Sequence, residues 1–335
     1  MTPHALPVDN HTSRRRLPDL SPAAFFRGAN QACGAILSNL RRVFVLIWVV
    51  GLTYCLPLGT IGWLNKRFGF LHSMFLCYPA SERLAKHYYF PFFIRHLLWR
   101  TSIHGFFVQG GKLGLILGTT TTENLFTRAS NGPELTKLAA RVERLQRLLA
   151  IDEVRYAGVL PHYLGKPNEH GRNVLLDQGS EAVAHLLVEA YDRLMANELH
   201  APVILLGGMG AIGRRTAALF ESQGVEVHVV DRRQDHDAWP IHLRGKRCLL
   251  IDVARKGARR QYIDRMWPEM SLLNETYPEP RGRELRELKS VGLSVFHVVG
   301  VAGKAVPAFP DAYRGGIPCC AMHDTEHAEL LLTEL

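Results

Sequence analysis

A chain of 335 residues, 47% apolar and 21% charged, has the composition of a folded protein and the length for two cores, which excludes a disordered or fibrous chain. The formal charge of +9 invites a nucleic-acid reading, but no recognised nucleic-acid motif accompanies it, so no nucleic-acid partner is expected. The six cysteines, at 33, 55, 77, 248, 319 and 320, follow no disulfide framework and point to a reducing, cytoplasmic compartment.

Residues 1 to 20 are rich in proline and polar groups and read as disordered. Ser21-Pro22 then suits an N-cap followed by proline in the first helical turn. Val43 to Leu64 is an uncharged stretch of about 22 residues, long enough to cross a bilayer. Arg14-Arg15-Arg16, Arg41-Arg42 and Lys66-Arg67 surround it, as anionic lipid at the inner face of a membrane would favour. Pro57, Gly59 and Gly62 weaken its second half as a helix, so a span, a segment that dips in and returns, and a buried core helix all stay open.

From Phe68 to Leu199 strands alternate with helices. Phe70–Tyr78, Lys112–Leu117 and Val154–Leu160 read as strands, and Glu134–Leu149 and Gln178–Met195 as helices. His87–Arg100 mixes aromatic and basic residues, which suits either a membrane interface or a core.

The strongest pattern runs from Ala201 to Arg233. A buried-type strand, Val203–Leu206, leads into Gly208-Met209-Gly210-Ala211-Ile212-Gly213, a helix to Ser222, and a second strand, Val225–Val230, ending on Asp231. Gly208 is expected to permit the turn, Gly210 to admit a pyrophosphate, and Gly213 to let helix pack on strand. The phosphates would sit on the helix N-terminus, at Ala211 and Ile212, and Asp231, with Arg232 beside it, would meet the ribose. A carboxylate there favours NAD(H) over NADP(H). Only about 15 residues then separate Asp231 from the next apolar run, Cys248–Val253, too few for a further helix and strand, so the Rossmann sheet is expected to be shortened. Val295–Val301 reads as a later strand after a connection rich in proline and charge, Trp267–Gly292, and Cys319–Leu332 as a closing helix.

Pro318 would place Cys320 in the first turn of that helix, where the dipole lowers a thiol pKa; His323, three residues on, would share its face as a base, and Cys319 would point about 100° away. Two other readings stand beside this one. Cys320 fills space under a sheet, or a cysteine with His323 and His327 binds metal. No further ligand cluster is evident, so no metal is assigned. Lys166, Lys112 and Lys304 are the lysines available for acid–base work.

The order of these parts resembles the amino-acid-dehydrogenase-like proteins, which include shikimate and methylenetetrahydrofolate dehydrogenases. It is closer to the long-chain acyl-carrier-protein reductases, often labelled predicted amino acid dehydrogenases. The similarity lies in GKLGLILGTTTTENL, VRYAGVLPHYL, GSEAVAHLLVEAYDRL, GGMGAIG, LLIDVARKG and CCAMHDTEHAELLL, over most of residues 68–332. In that family a cysteine in ACxAE, opening the last helix, takes the acyl group as a thioester before hydride reduction. Cys320 matches that cysteine, and His323 replaces the acid. In the shikimate-dehydrogenase-like relatives a lysine near a strand end donates the proton, a place that Lys166 fits best.

The expectation is therefore an α/β protein in five parts: a basic segment (1–42), a hydrophobic membrane-associating segment (43–64), a substrate domain (65–200), a shortened Rossmann domain (201–315) and a C-terminal helix (316–335) packing back between the domains. It would be an NAD(P)-dependent oxidoreductase acting on an acyl thioester or related carbonyl, delivered as a small molecule or on an acyl carrier. The alternatives are a soluble amino- or hydroxy-acid dehydrogenase and a non-catalytic dinucleotide-binding regulator. A homo-oligomer is compatible with all three.

Overall fold

Helical and extended stretches resolve into two sheets that share one helix. A computed structural model describes residues 22–165, 174–198, 200–232, 239–255, 257–310, 313–325 and 327–335. The segment 1–20, read above as disordered, and Lys166 lie outside these residues.

The chain begins with α1 (Pro22–Val50), passes through a π-helical turn, Gly51–Cys55, breaks at Leu56-Pro57 and continues as α2 (Leu58–Phe68). The break divides the hydrophobic segment into two halves with different fates. Ile36–Cys55 is long and apolar enough to cross a membrane, and only 6% of it is buried. The second half is held to the body by one face, at Gly62 and Asn65, with Trp63 exposed. Gly62 lets α2 approach the end of a later helix so closely that a Cβ would lie 1.8 Å from the carbonyl oxygen of Leu148. One turn on, the buried Asn65 amide donates to Leu71 O (2.9 Å) and Leu149 O (3.0 Å) and accepts from Leu71 N (2.6 Å).

Next come β1 (Leu71–Cys77), α3 (Glu82–Tyr88), α4 (Pro91–His96), β2 (Ser102–Gln109) and β3 (Lys112–Gly118). Then follow α5 (Glu123–Phe126), α6 (Gly132–Leu149), β4 (Glu153–Tyr156), α7 (Leu160–Leu164) and α8 (Val174–Leu194). The second half holds β5 (Val203–Leu206), α9 (Ala211–Ser222), β6 (Val227–Val230), β7 (Cys248–Asp252), β8 (Met270–Asn274), α10 (Gly282–Val291) and β9 (Ser294–Ala302). The chain ends with β10 (Lys304–Val306), β11 (Gly316–Ile317) and β12 (Leu330–Glu334).

The first sheet has the order β10-β2-β3-β1-β4, with β1 parallel to both β3 and β4. The second has the order β11-β9-β8-β7-β5-β6, all parallel from β6 to β9, with β11 and β12 antiparallel to β9. This is an α/β fold with a Rossmann-like sheet. After β6 the chain crosses to the other side of β5, and among the described residues no strand lies outside β6. The sheet is shortened on that side, and the strand order reverses between β5 and β7, where ligands bind in open sheets of this kind.

The helix α8 is apolar on most of its circumference because both sheets need it. Val183, Leu186, Leu187 and Ala190 pack with Phe75, Phe107 and Ile116 of the first sheet and Val203, Leu205 and Phe220 of the second unit in one continuous core. Each of the Val, Leu, Ile and Phe side chains contributes roughly 1.5–3 kcal/mol on leaving water. The boundary between the domains is also less clean than the linear reading, since β10 returns to the first sheet and pairs with β2.

Four further elements differ from expectation. Cys319–Leu332 is not a helix: a single 3-10 turn, Cys319–Ala321, gives way to extended chain and then to β12 on the edge of β9. Tertiary partners override helix formation here. The N–H groups of His323 and Asp324 both donate to Gln109 Oε1 (3.0 and 3.3 Å), and Leu330 is buried against the sheet. The C-terminal segment does pack back across both units, but as turn and strand. Finally, β2, and then β8 with α10 inside the stretch read as a connection, are elements that periodicity did not reveal.

Candidate functional site

The glycine turn follows β5, whose four residues are all buried. The backbone turns at Gly207 (φ +85°), one residue earlier than expected, and a Cβ there would lie 2.7 Å from Ala254 Cα beyond β7. Gly208 is instead a packing glycine, where a Cβ would meet Val229 at 2.7 Å. Gly213 takes the expected role: its Cβ would lie 2.5 Å from Gly208 Cα, so helix and strand touch there.

Gly210 is different. It is the exposed N-cap of α9, with extended backbone and no side-chain cap, and an added Cβ would approach only Gly207 O, at 3.2 Å. The turn thus leaves open space above the first N–H groups of α9, at Ala211, Ile212 and Gly213, and that space suits a phosphate. Asp231, at the end of β6, accepts from the Met209 N–H at 3.3 Å, which brings the carboxylate to the lip of the turn; Arg232 beside it is exposed. All seven residues expected to hold a dinucleotide therefore lie around one turn. Asp252, the other strand-end acid, is not free for a ligand: it caps the next turn through Ala254 N (3.0 Å) and pairs with buried Arg259 at 2.6 Å.

The cysteine pair lies between the C-terminal ends of the two sheets. Cys320 receives a hydrogen bond from the backbone of Gly158, just past β4, and lies near Cys77 at the end of β1. Cys319 Sγ lies 3.5 Å from Glu275 Oε1, just past β8. Both thiols are half-buried, beneath Tyr313, which stacks on Tyr277 at 5.4 Å. The two sulfurs differ in character. The hydrogen bond from Cys319, followed by that from Gly158, holds the Cys320 thiol below its ordinary pKa despite burial and the nearby Glu275. Cys319, as the donor to Cys320 and by burial, is pushed well above its own. Burial raises Glu275 as well. The arrangement is an acid, a thiol and a thiolate-leaning sulfur in series. By contrast, burial pushes Cys77 and Cys248 up to about 12.

The helical geometry expected of this segment is absent, and with it the role of His323. Its ring lies against Phe107 (5.3 Å), and its Nδ1 is 2.9 Å from Ser73 Oγ near the start of β1. Ser73 and Cys77 are four residues apart on that strand, about 13 Å, so His323 and Cys320 serve opposite ends of it. Cys319 does not point away from Cys320 but hydrogen-bonds to it. His323 and His327 share no helix face either, and His327 pairs with Asp324 at 3.2 Å. Lys112 also pairs with Asp324, at 3.2 Å.

Glu275 is the residue that sequence reading missed. Its one signal is an acid two residues after the apolar pair Leu272-Leu273, masked by the polar and proline-rich residues around it. A cavity of about 690 Å³ opens elsewhere, over β9 and β12, lined in part by His297, Arg281 and Arg314. Comparison with protein-family models and with curated proteins finds no match for the chain. Fold and site together define a Rossmann-like α/β protein with a half-buried cysteine pair at the crest of its strands.

Proposed function

We propose that the chain is a dinucleotide-dependent oxidoreductase that reduces an acyl thioester at a membrane surface, with Cys320 as the acyl acceptor. The observation that carries this reading is the lowered thiol of Cys320 at the same strand ends as the glycine turn, in series with Cys319 and Glu275. The Cys320 thiolate attacks the thioester carbonyl, the carrier thiolate leaves, and Glu275 through Cys319 is the proton source for it. A bound dinucleotide would supply the hydride for the acyl carbon; the part of Cys320 is to hold the acyl group and to leave as thiolate when the carbon–sulfur bond breaks and the aldehyde is released. Residues Gly210 to Gly213 would hold the pyrophosphate and Asp231 the ribose. This course parallels the acyl-carrier-protein reductases that the sequence resembles.

The preferred cofactor is NAD(H), because Asp231 would repel a 2′-phosphate at close range. Titration by nicotinamide fluorescence is expected to give tighter binding of NADH than NADPH, with Asp231→Asn narrowing the difference. Tighter NADPH binding by the parent chain would reverse the assignment.

Membrane docking is proposed to be in-plane. Ile36, Leu37, Leu40, Phe44 and Ile47 form one exposed stripe of α1, each 58–67% exposed. Its other side packs Val49 on Tyr89, Phe93 and Leu97, and Trp48 Nε1 donates to His104 O at 2.8 Å. Arg42 Nε donates to Lys86 O at 2.9 Å. A helix fastened to the body from Arg42 to Val49 favours lying in the interface over crossing it, with Arg41, Arg42, Lys86 and Arg95 at headgroup level. The triple variant Leu40→Asp, Phe44→Asp, Ile47→Asp is expected to abolish co-sedimentation with vesicles containing phosphatidylglycerol while leaving the melting temperature unchanged. Vesicle binding as strong as the parent's would refute docking through this stripe. Removing residues 1–66 is not a clean test, because Gly62 and Asn65 belong to the core.

A further inference from the structure

The shortened side of the Rossmann-like sheet carries a cluster that the catalytic reading does not use. Glu226 immediately precedes β6 and His228 lies within it, two residues apart, so both project to one face of the sheet. Val230 shares that face and packs with Trp239 and Leu243. Among the described residues, the connection after β6 returns over this face as a 3-10 turn, Ile241–Leu243. Leu243 is fully buried, and this anchor sets His242 beside His228 with ring centroids 5.0 Å apart. Glu226 Oε1 is 2.7 Å from His228 Nε2 and 3.6 Å from His242 Nε2.

We propose that Glu226, His228 and His242 form a site for a divalent transition metal of the zinc type, which clips the shortened connection to the edge strand β6. Two imidazoles and one carboxylate are a donor set suited to zinc, with water completing a tetrahedron. The three ligand atoms already lie within 4.8 Å of one another. In a tetrahedral site with metal–ligand distances near 2.0–2.1 Å, neighbouring ligand atoms are about 3.3 Å apart. The separation of Glu226 from His242 is close to this, and the Glu226–His228 hydrogen bond has to open by only about 0.6 Å to match it. Glu226 and His242 are exposed, so they can rotate inward at little cost, and His228 on the strand provides the fixed ligand. The purpose is structural. The described residues place no strand on the outer side of β6, and a metal joining strand to turn fastens an edge that a further strand would otherwise cover.

The proposal is independent of the catalytic reading and is tested without an activity assay. Full-length protein stripped with chelator is titrated with Zn²⁺ by calorimetry and with Co²⁺ by visible absorption. One equivalent is expected to bind, with the intense spectrum of tetrahedral Co²⁺ and a rise in melting temperature of a few degrees. His242→Ala and Glu226→Gln, both at exposed positions, should weaken binding at least about tenfold while leaving the metal-free melting temperature unchanged. The double variant Cys319→Ser, Cys320→Ser should bind as the parent does. Unweakened binding in both His242→Ala and Glu226→Gln, loss of binding in the cysteine variant, or no stoichiometric binding would each overturn the site.

Discussion

Cys320→Ser is expected to bind dinucleotide within about twofold of the parent and to lose turnover by about 10³-fold or more. A serine hydroxyl does not ionise near neutrality, so the hydrogen bonds that favour a thiolate at this position have nothing to stabilise. The same hydrogen bonds yield a sharper test in the parent chain. Alkylation by iodoacetamide, resolved by peptide so that exposed Cys55 is counted separately, should reach half its limiting rate at Cys320 below the pH near 8.5 of a free thiol. Cys319→Ala removes the largest stabilising hydrogen bond, so the Cys320 profile should move to higher pH while dinucleotide affinity stays. Cys77 and Cys248, held protonated by burial, should remain unlabelled over the same range. Full turnover in Cys320→Ser would end the thioester mechanism and leave direct hydride transfer, with Lys166 as the proton donor to test next.

Gly210→Val should abolish binding of NADH and NADPH alike without unfolding the protein. Its Cβ would enter open space, with only Gly207 O as near as 3.2 Å, so the two extra methyl groups project where a pyrophosphate would have to lie. Gly213→Val is the contrasting variant. Its Cβ would run into backbone at 2.5 Å, and it should lower the melting temperature or prevent folding. A fall in binding with retained thermal stability at position 210, read by calorimetry and circular dichroism, separates ligand exclusion from damage to the fold. Undiminished dinucleotide binding in Gly210→Val would show that the turn holds something other than a pyrophosphate.

Local information in the chain was enough for the glycine turn. Val203–Leu206, the glycines, α9 and Asp231 are consecutive, and each is specified by its own residues: a buried apolar run, glycines of which Gly207, Gly208 and Gly213 have no room for a Cβ, an acid at a strand end. The shortened sheet was legible for the same reason, because the residues between Asp231 and Cys248 suffice for a crossover but not for a further helix and strand besides. The α/β class, and most of the strands and helices around α8, followed from apolar periodicity.

What the sequence alone did not determine is whatever depends on partners far away in the chain. Cys319–Leu332 has an acceptable helical pattern, yet Gln109, more than two hundred residues earlier, takes the N–H groups of His323 and Asp324, and β9 offers an unpaired edge to Leu330–Glu334. That one change moves His323 away from Cys320 and turns Cys319 from an unrelated neighbour into its hydrogen-bond donor. Glu275 could not be recognised until β8 was seen to end beside the thiols. The hydrophobic segment likewise has uniform composition, and only packing divides it into an exposed stripe on α1 and an α2 anchored where its buried Gly62 and Asn65 meet the end of α6. Neighbouring residues decide conformation where the backbone's own hydrogen bonds and sterics suffice. Where a strand edge or a buried acceptor competes for the same N–H groups, tertiary structure decides.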